Sequence, residues 1–500
     1  MSMSAQPGQG TDVYRYLANE GDYPDLPAQA AIEHLSRALQ CRTVSSVDVS
    51  EIDYGELDKL HELIRTSYPH IMAAGTYEEI GHSLLITIPG TDASLRPIQL
   101  MAHQDVVPVV PGTEADWTHD AFSGHVDDEF IWGRGAMDIK EMLIGELEAV
   151  EYLLARLEAQ GRQLKRTLIL AFGEDEECLQ QGSRAIAKVL EERGVRLEFL
   201  VDEGDYAITD GADFGAPGVP VKMVELGEKG YCDVRLTVRS AGGHSSNPFG
   251  GTSLGTLARA ISRIVNNPYQ LRLSPLAQAT FSAMAPFITE EPFASLVGDA
   301  SSDEPLPVSE VVRRNADAIA AACAQRRELY PLVTTTIAPD MIEGGSKGSN
   351  VMPQDMWAVI NFRLDPYVTS TDVMERCREL TADLGVELDM YQTPSEPTPA
   401  DAGMGAVQNP GMQIVSEAVA HYLTNPASGE GIRCVSALAT GGTDAHMYEG
   451  ICDACLRIGP MVVDADEQRR GVHGTDERVT KRAYLQGVRM LVRIVEKACL

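Results

Sequence analysis

His103-Gln-Asp105 closes an apolar segment, Pro97-Ile-Gln-Leu-Met-Ala102, and downstream stand Asp138, the run Glu174-Asp-Glu-Glu177, the pair Asp202-Glu203 and a late His473. Imidazoles and carboxylates without paired thiolates are the ligand types that suit zinc. Two divalent cations about 3.5–4 Å apart repel each other, so holding both takes a bridging carboxylate surrounded by further carboxylates and neutral imidazoles. The chemistry such a set supports is hydrolysis. Glu176 and Glu177 are adjacent and can point in different directions, one to metal and one to the water that attacks. Asp105, two residues beyond His103, is placed to accept the second imidazole N–H and fix the tautomer. Asp202 and Glu203 are consecutive strand residues, which face opposite ways, so one of the two reaches the metals.

These residues need a scaffold that brings distant segments together. Short apolar runs at Ile98 to Ala102, Thr167 to Phe172 and Leu197 to Val201 each precede a histidine or acidic residues. Between them, apolar positions recur at three and four from Met142 through Leu157 before Gly161, and Gln181 to Arg193 forms a second helix stopped by Gly194. Strand, helix, strand with polar residues at the strand ends predicts an α/β unit, a mostly parallel sheet with helices on both faces. Ligands in such sheets gather at the carboxyl ends of the strands, where His103, Glu176, Glu177 and Asp202 fall.

The pattern changes near Gly230. Cys232 to Arg239 alternates as a half-exposed strand, a helix carries Leu254 to Val265, and Met356 to Leu364 alternates again before a helix at 372–384 and a strand at 386–391. This predicts an α+β unit with an antiparallel sheet and helices on one face. Because His473 lies beyond it, the second unit is inserted into the first, with Thr393-Pro-Ser-Glu-Pro-Thr-Pro as the return crossing. The expected division is a catalytic domain over 1–228 and 394–500 and an inserted lid or dimerisation domain over 229–393. The stretch from Leu273 to Tyr330 reads as mostly helical without a clear partner.

Composition narrows the function. The 500 residues include 73 acidic and 41 basic side chains, a net charge of −32, which disfavours nucleic acid or an anionic membrane as partner. No run approaches the roughly 20 apolar residues of a spanning helix, and Met1 to Gly10 lacks the basic start and apolar core of a signal peptide. Nine cysteines without a regular framework fit reduced thiols, and a cytoplasmic location is expected. Cys452-Asp-Ala-Cys455 is a lone pair, read as strand-edge packing.

Seven segments, in order, carry a resemblance. His103-Gln-Asp-Val-Val-Pro108, Trp132-Gly-Arg-Gly-Ala-Met-Asp138-Ile-Lys140, Gly173-Glu-Asp-Glu-Glu177, Val201-Asp-Glu-Gly204, Gly242-Gly-His-Ser-Ser246, Asn361-Phe-Arg363 and Val472-His-Gly474 resemble the aminoacylase and carboxypeptidase S family of co-catalytic zinc peptidases, metallopeptidase family twenty. The resemblance implies two Zn2+, with Co2+ or Mn2+ as substitutes. His103 and Asp202 would hold one ion, Glu177 and His473 the other, with Asp138 bridging; more distant relatives use a glutamate near Asp202, which keeps Glu203 as the alternate. It makes Glu176 the base. It also implies that His244 reaches the active site of a partner subunit in a homodimer built through the inserted domain, stabilising the oxyanion, and that Arg363 with Asn350 grips a free substrate carboxylate. In Gly441-Gly-Thr-Asp-Ala-His446 the histidine departs from the family pattern. The expected activity is cleavage of a peptide or N-acyl amino-acid amide next to a free carboxylate. The alternatives are deacylation of a non-peptide N-acetyl or N-succinyl amide at the same site and a catalytically silent metabolite-binding or scaffolding relative, whose mark would be loss of the base or a ligand.

Overall fold

The computed structural model describes residues 13–298 and 306–500; the segment read for a signal peptide lies outside them. Nine strands form one sheet, with the order Thr76–Ile80, Ser83–Ile88, Leu168–Gly173, Ile98–His103, Phe199–Asp202, Cys455–Arg457, Pro220–Glu228 and Arg433–Ala439, and Thr209–Asp210 pairing with Pro220–Glu228. Its centre is parallel: Ile98–His103 runs alongside both Leu168–Gly173 and Phe199–Asp202, and Cys455–Arg457 continues the same sense. Antiparallel pairs enter at Ser83–Ile88 and where Cys455–Arg457 meets Pro220–Glu228.

Ile98–His103 and Leu168–Gly173 are buried along their whole length, as expected of strands covered on both faces. One cover is the helix Lys140–Ala159 with the C-terminal helix Lys481–Cys499, joined in a core that includes Leu143, Leu147, Val488 and Leu491. On the other face Gln181–Glu192 packs Ile186, Ala187 and Leu190 with Ile169 and Ala171. Cys452 and Cys455 belong to this second cluster, and all nine cysteines are free thiols.

A separate four-stranded antiparallel sheet has the order Thr336–Gly344, Met356–Leu364, Gly230–Val238, Glu387–Met390. Val234, Leu236, Ile360 and Phe362 share its core with Leu257 and Ile264 of the helix Ser253–Val265 and Val373 and Cys377 of Ser370–Thr381. The polar side of the central strand is less open than alternation suggests: Asp233 is buried and accepts from Asn361 Nδ2 at 2.9 Å.

The stretch without a clear partner rests on the large sheet. Its helices Pro275–Met284 and Ala316–Cys323 join Phe214, Val221 and Val435 in a cluster of their own, and Thr280 Oγ1 donates to Ser436 O at 2.5 Å. Thus part of the 229–393 span covers the strands Pro220–Glu228 and Arg433–Ala439, whose apolar outer face needs a lid. No helix of the described residues is long and apolar enough to cross a membrane.

Candidate metal centre and substrate cleft

The acidic run after Leu168–Gly173 divides its labour. Glu174 turns back, accepting from the His82 N–H and Ser83 Oγ. Asp175 accepts the N–H groups of Gln181 and Gly182 at 3.1 and 2.8 Å, satisfying donors that the first turn of Gln181–Glu192 leaves free. Glu176 and Glu177 remain for the site. Their own N–H groups donate to Asp105 Oδ1 and Oδ2 at 3.0 and 3.1 Å, so Asp105 fixes the loop that presents them. Gly173 permits the close approach of strands and helix here: a Cβ would stand 2.4 Å from Asp444 Oδ2 and 2.5 Å from Ser183 Oγ.

His103 is buried at the end of its strand. Its Nδ1 meets the backbone oxygen of Asp105 at 3.0 Å, with Asp105 Oδ1 at 3.3 Å. The carbonyl is therefore the nearer acceptor for the ring N–H, while the carboxylate serves mainly the 176–177 backbone. His103 Nε2 faces Asp138 Oδ1 at 3.1 Å and Glu203 Oε1 at 3.9 Å. His473 Nε2 lies 3.0 Å from Asp138 Oδ2 and 3.1 Å from Glu177 Oε2. Asp138 thus stands between the two imidazoles.

Two groups of donor atoms emerge, each with its atoms within 4.8 Å of one another: His103, Glu176 and Glu203, and His103, Asp138 and Glu177. Asp202 and His473 belong to neither, but His473 approaches Asp138 and Glu177 of the second group at 3.0 and 3.1 Å. Asp202 Oδ1 accepts the Glu203 N–H at 2.9 Å and its Oδ2 the Ala445 N–H at 2.8 Å. The strand ends at Asp202, and Glu203, in the turn beyond it, is the residue whose side chain reaches His103.

The electrostatics fit a cation-binding site. Burial, reinforced by neighbouring carboxylates, pushes Glu176 and Glu203 well above the usual carboxylate range. Burial also acts on Asp138, but hydrogen bonds from His103 and His473 outweigh it and hold that group low. Hydrogen bonds to Asp138 and Glu177 raise His473 to about 10. Carboxylates gathered here are costly to ionise without positive charge among them, a charge that divalent ions would supply. The donor set, all oxygen and imidazole nitrogen, suits such ions.

Several supporting residues escaped sequence reasoning. Glu477, fully buried, accepts the N–H groups of Gly135, Met137 and Asp138 at 3.1, 2.8 and 3.1 Å and pairs with Arg134 Nη1 at 2.6 Å. It holds the loop that carries Asp138. Gly135 in that loop has φ +89°, and a Cβ there would meet Val106 at 2.8 Å. Gln180 Nε2 donates to Glu176 Oε1 at 2.8 Å, and buried Asp444 accepts from Ser183 Oγ at 2.5 Å. Buried Arg457 pairs with Glu228 at 3.1 Å and Glu449 at 3.3 Å. Most of these partners lie hundreds of residues apart or in loops, beyond any spacing rule; the segments Trp132–Lys140 and Gly441–His446 contain Arg134, Gly135 and Asp444 but carry no signal for their contacts.

A cleft of about 1300 Å³ opens beside the carboxylates, lined by Glu176, Glu177, Lys229, Tyr231, Arg363 and His446 among others. Arg363 sits over the Tyr231 ring at 4.6 Å. His446 Nδ1 lies 3.4 Å from Glu449 and 3.6 Å from Glu228; burial opposes its protonation, but these carboxylates raise it above the ordinary imidazole range. His244 and Asn350 are outside the lining of this cleft. His244 is exposed on the short ladder of Gly243–His244 with Val351–Met352, and Asn350 O accepts the Ser245 N–H at 3.0 Å. Asn350 thus lies beside the His244 ladder, and neither residue lines the cleft that Arg363 lines.

Comparison with known proteins agrees with this fold. Among similar sequences are a probable carboxypeptidase S-like 2 of Dictyostelium discoideum, 30% identical and covering 93% of this chain and 84% of its own, and the mouse N-fatty-acyl-amino acid synthase/hydrolase PM20D1, 31% identical over 93% of this chain and 87% of its own. The solved structure of an M20 family metallo-carboxypeptidase from Sulfolobus solfataricus has the same fold, with a TM-score of 0.65 at 17% identity, covering 94% of this chain and 99% of that one. Residues 99–497 match peptidase family M20/M25/M40, and the chain belongs to that family of metallopeptidases and amidohydrolases.

Proposed function

We propose that the chain is a two-metal hydrolase that cleaves a peptide or N-acyl amino-acid amide next to a free carboxylate. The observation that carries this reading is Asp138 standing between His103 at 3.1 Å and His473 at 3.0 Å, with Glu203 beside the first imidazole and Glu177 beside the second. In this reading His103, Glu203 and Asp138 hold one ion, and Asp138, Glu177 and His473 the other, with Zn2+ the expected metal. Bound divalent ions supply Lewis acidity and allow the surrounding carboxylates to ionise.

Glu176 takes a proton from the attacking water and passes it to the leaving nitrogen. Gln180 holds one of its oxygens and leaves the other for that exchange. Arg363, facing the same cleft, binds the substrate carboxylate through its planar fork. His244 completes the site from a second copy, since its exposed position outside its own cleft suits donation to a neighbour. The names of the similar proteins, a carboxypeptidase and an N-fatty-acyl-amino acid hydrolase, share the feature that an amide adjoins a carboxylate.

Side-by-side assay of dipeptides, N-acyl amino acids and their carboxyl-amidated forms tests the reading. Hydrolysis of free-carboxylate substrates with little turnover of the amidated forms is expected. Equal turnover of both would remove the carboxylate from the recognition scheme.

A further inference from the structure

His446 lines the cleft, and the proposed reaction leaves it without a task. Its Nδ1 is buried, 3.4 Å from Glu449 and 3.6 Å from Glu228, yet its side chain stays 19% exposed. The edge that meets the cleft therefore carries Nε2. Other donors of the lining are engaged: Lys229 Nζ donates to Pro331 O and Thr334 O, both at 2.6 Å, and Gln392 Nε2 donates to Asp233 Oδ2 at 3.2 Å. Arg184 and Lys188 are exposed on the helix Gln181–Glu192. Among the described contacts Arg363 has no ion pair and His446 Nε2 no hydrogen bond.

His446 and Arg363 are also brought together by the fold. Glu228, which His446 touches, ends a strand of the large sheet, and Tyr231, three residues further, pairs with Arg363 in the antiparallel sheet. Three extended residues span at most about 11 Å. The two side chains thus enter one cleft from either side of the junction between the sheets. Charge points the same way. Glu228 and Glu449 are matched by Arg457 and a protonated His446, two charges of each sign. Arg363 is then the surplus, and a single carboxylate balances it.

A carboxylate has about four lone-pair sites, and a guanidinium fork occupies two of them. We propose that His446 is a substrate-binding residue that donates its Nε2–H to the same carboxylate that Arg363 grips. One end of the substrate is then held jointly by the large sheet and the inserted sheet. This rests on the hydrolase reading above and adds a second donor to its carboxylate site. A hydrogen bond to a charged group is worth about 10–100-fold in affinity. Because the contact is present before and during reaction, its loss should appear in KM rather than kcat.

The test uses the full-length protein loaded with Zn2+ and measures kcat and KM for an N-acyl amino acid and its carboxyl-amidated form in wild type, His446→Asn and His446→Gln. Asparagine keeps a donor at the Nδ1 position, toward Glu449 and Glu228, and loses the one at Nε2; glutamine does the reverse. His446→Asn should raise KM for the free carboxylate about 10–100-fold and leave the amidated form nearly unchanged, while His446→Gln should keep most of the wild-type preference for the free carboxylate. Either variant decides alone if thermal melting shows the other unfolded. Equal losses on both forms, or an intact His446→Asn beside a damaged His446→Gln, would give the ring a structural role through Nδ1 and overturn the proposal while leaving the hydrolase reading standing. Calorimetry with N-benzylglycine and N-benzylglycinamide, which have no N-acyl bond to break, reads the same site without catalysis. If no N-acyl amino acid is hydrolysed, the hydrolase reading fails on its own, and the calorimetry still decides: carboxylate-dependent binding lost in His446→Asn and kept in His446→Gln supports the contact, and wild-type binding that is absent or indifferent to the carboxylate overturns it.

Discussion

Replacing Asp202 and Glu203 in turn should separate a structural carboxylate from a metal ligand. In Asp202→Ala the Glu203 and Ala445 N–H groups lose acceptors at 2.9 and 2.8 Å in a site where Asp202 is buried. Each unsatisfied buried donor costs about 1–3 kcal/mol, so the metal-free chain should lose about 2–6 kcal/mol. Glu203→Ala removes a partly buried carboxylate 3.9 Å from His103 that accepts no backbone hydrogen bond among the described contacts. Removing it relieves a desolvation cost, and the metal-free chain should be as stable as wild type or slightly more so. Metal retention should run the other way: Glu203→Ala weakens it beyond the ~10–100-fold typical of an outer-shell partner, while Asp202→Ala keeps both ions wherever it is folded. Urea unfolding of metal-free protein, with metal content by mass spectrometry after equilibrium dialysis, measures both quantities. Intact metal binding in Glu203→Ala, together with loss of one ion from a stable Asp202→Ala, would refute the assignment.

Three further outcomes are expected. Glu176→Gln should retain metal but lose ~10²–10⁴-fold in turnover, whereas Glu177→Gln, which removes a partner of His473 at 3.1 Å, should lose metal; the reverse pattern, read by metal analysis and steady-state kinetics, would exchange the two roles. Arg363→Ala and amidation of the substrate carboxylate should each cost about 10²-fold in kcat/KM, and the two together little more, because both delete one charge-assisted contact; additive losses would place the arginine elsewhere. Burial raises Glu225 to about 7 from an unfolded value near 4.5, so the stability this group contributes is complete below 4.5 and lost as pH rises through 7. Relative to wild type, the Tm of Glu225→Gln should therefore climb between pH 5 and pH 8, and a pH-independent difference would contradict the shift.

Much of the architecture was legible because it depends on periodicity. The buried strands Ile98–His103 and Leu168–Gly173 announce themselves as continuous apolar runs, and the antiparallel unit announces itself by alternation at Met356–Leu364. Ligands at strand ends follow from the parallel sheet. What was not legible depends on turns and on distant partners. Alternation says that one of Asp202 and Glu203 turns toward the site but not which; the strand ends at Asp202, and in the structure Glu203 is the one near His103. The helices Pro275–Met284 and Ala316–Cys323 carry apolar residues but no signal for which sheet they cover. Asn350 and Arg363 lie thirteen residues apart in the chain, yet the ladder at Val351–Met352 draws the former toward His244. Glu477 binds a loop more than three hundred residues earlier, a contact that only the folded chain brings about.

The proposed hydrolysis stands on a pair of divalent ions held by these carboxylates and imidazoles. Stripping the purified protein with a chelator, then titrating Zn2+ back while recording ion stoichiometry and hydrolysis of an N-acyl amino acid on the same sample, tests it most directly. Two ions per chain, no activity in the stripped protein and recovery that follows occupancy are expected. Full activity in metal-free protein, or complete recovery at one ion per chain with no second binding step, would contradict it.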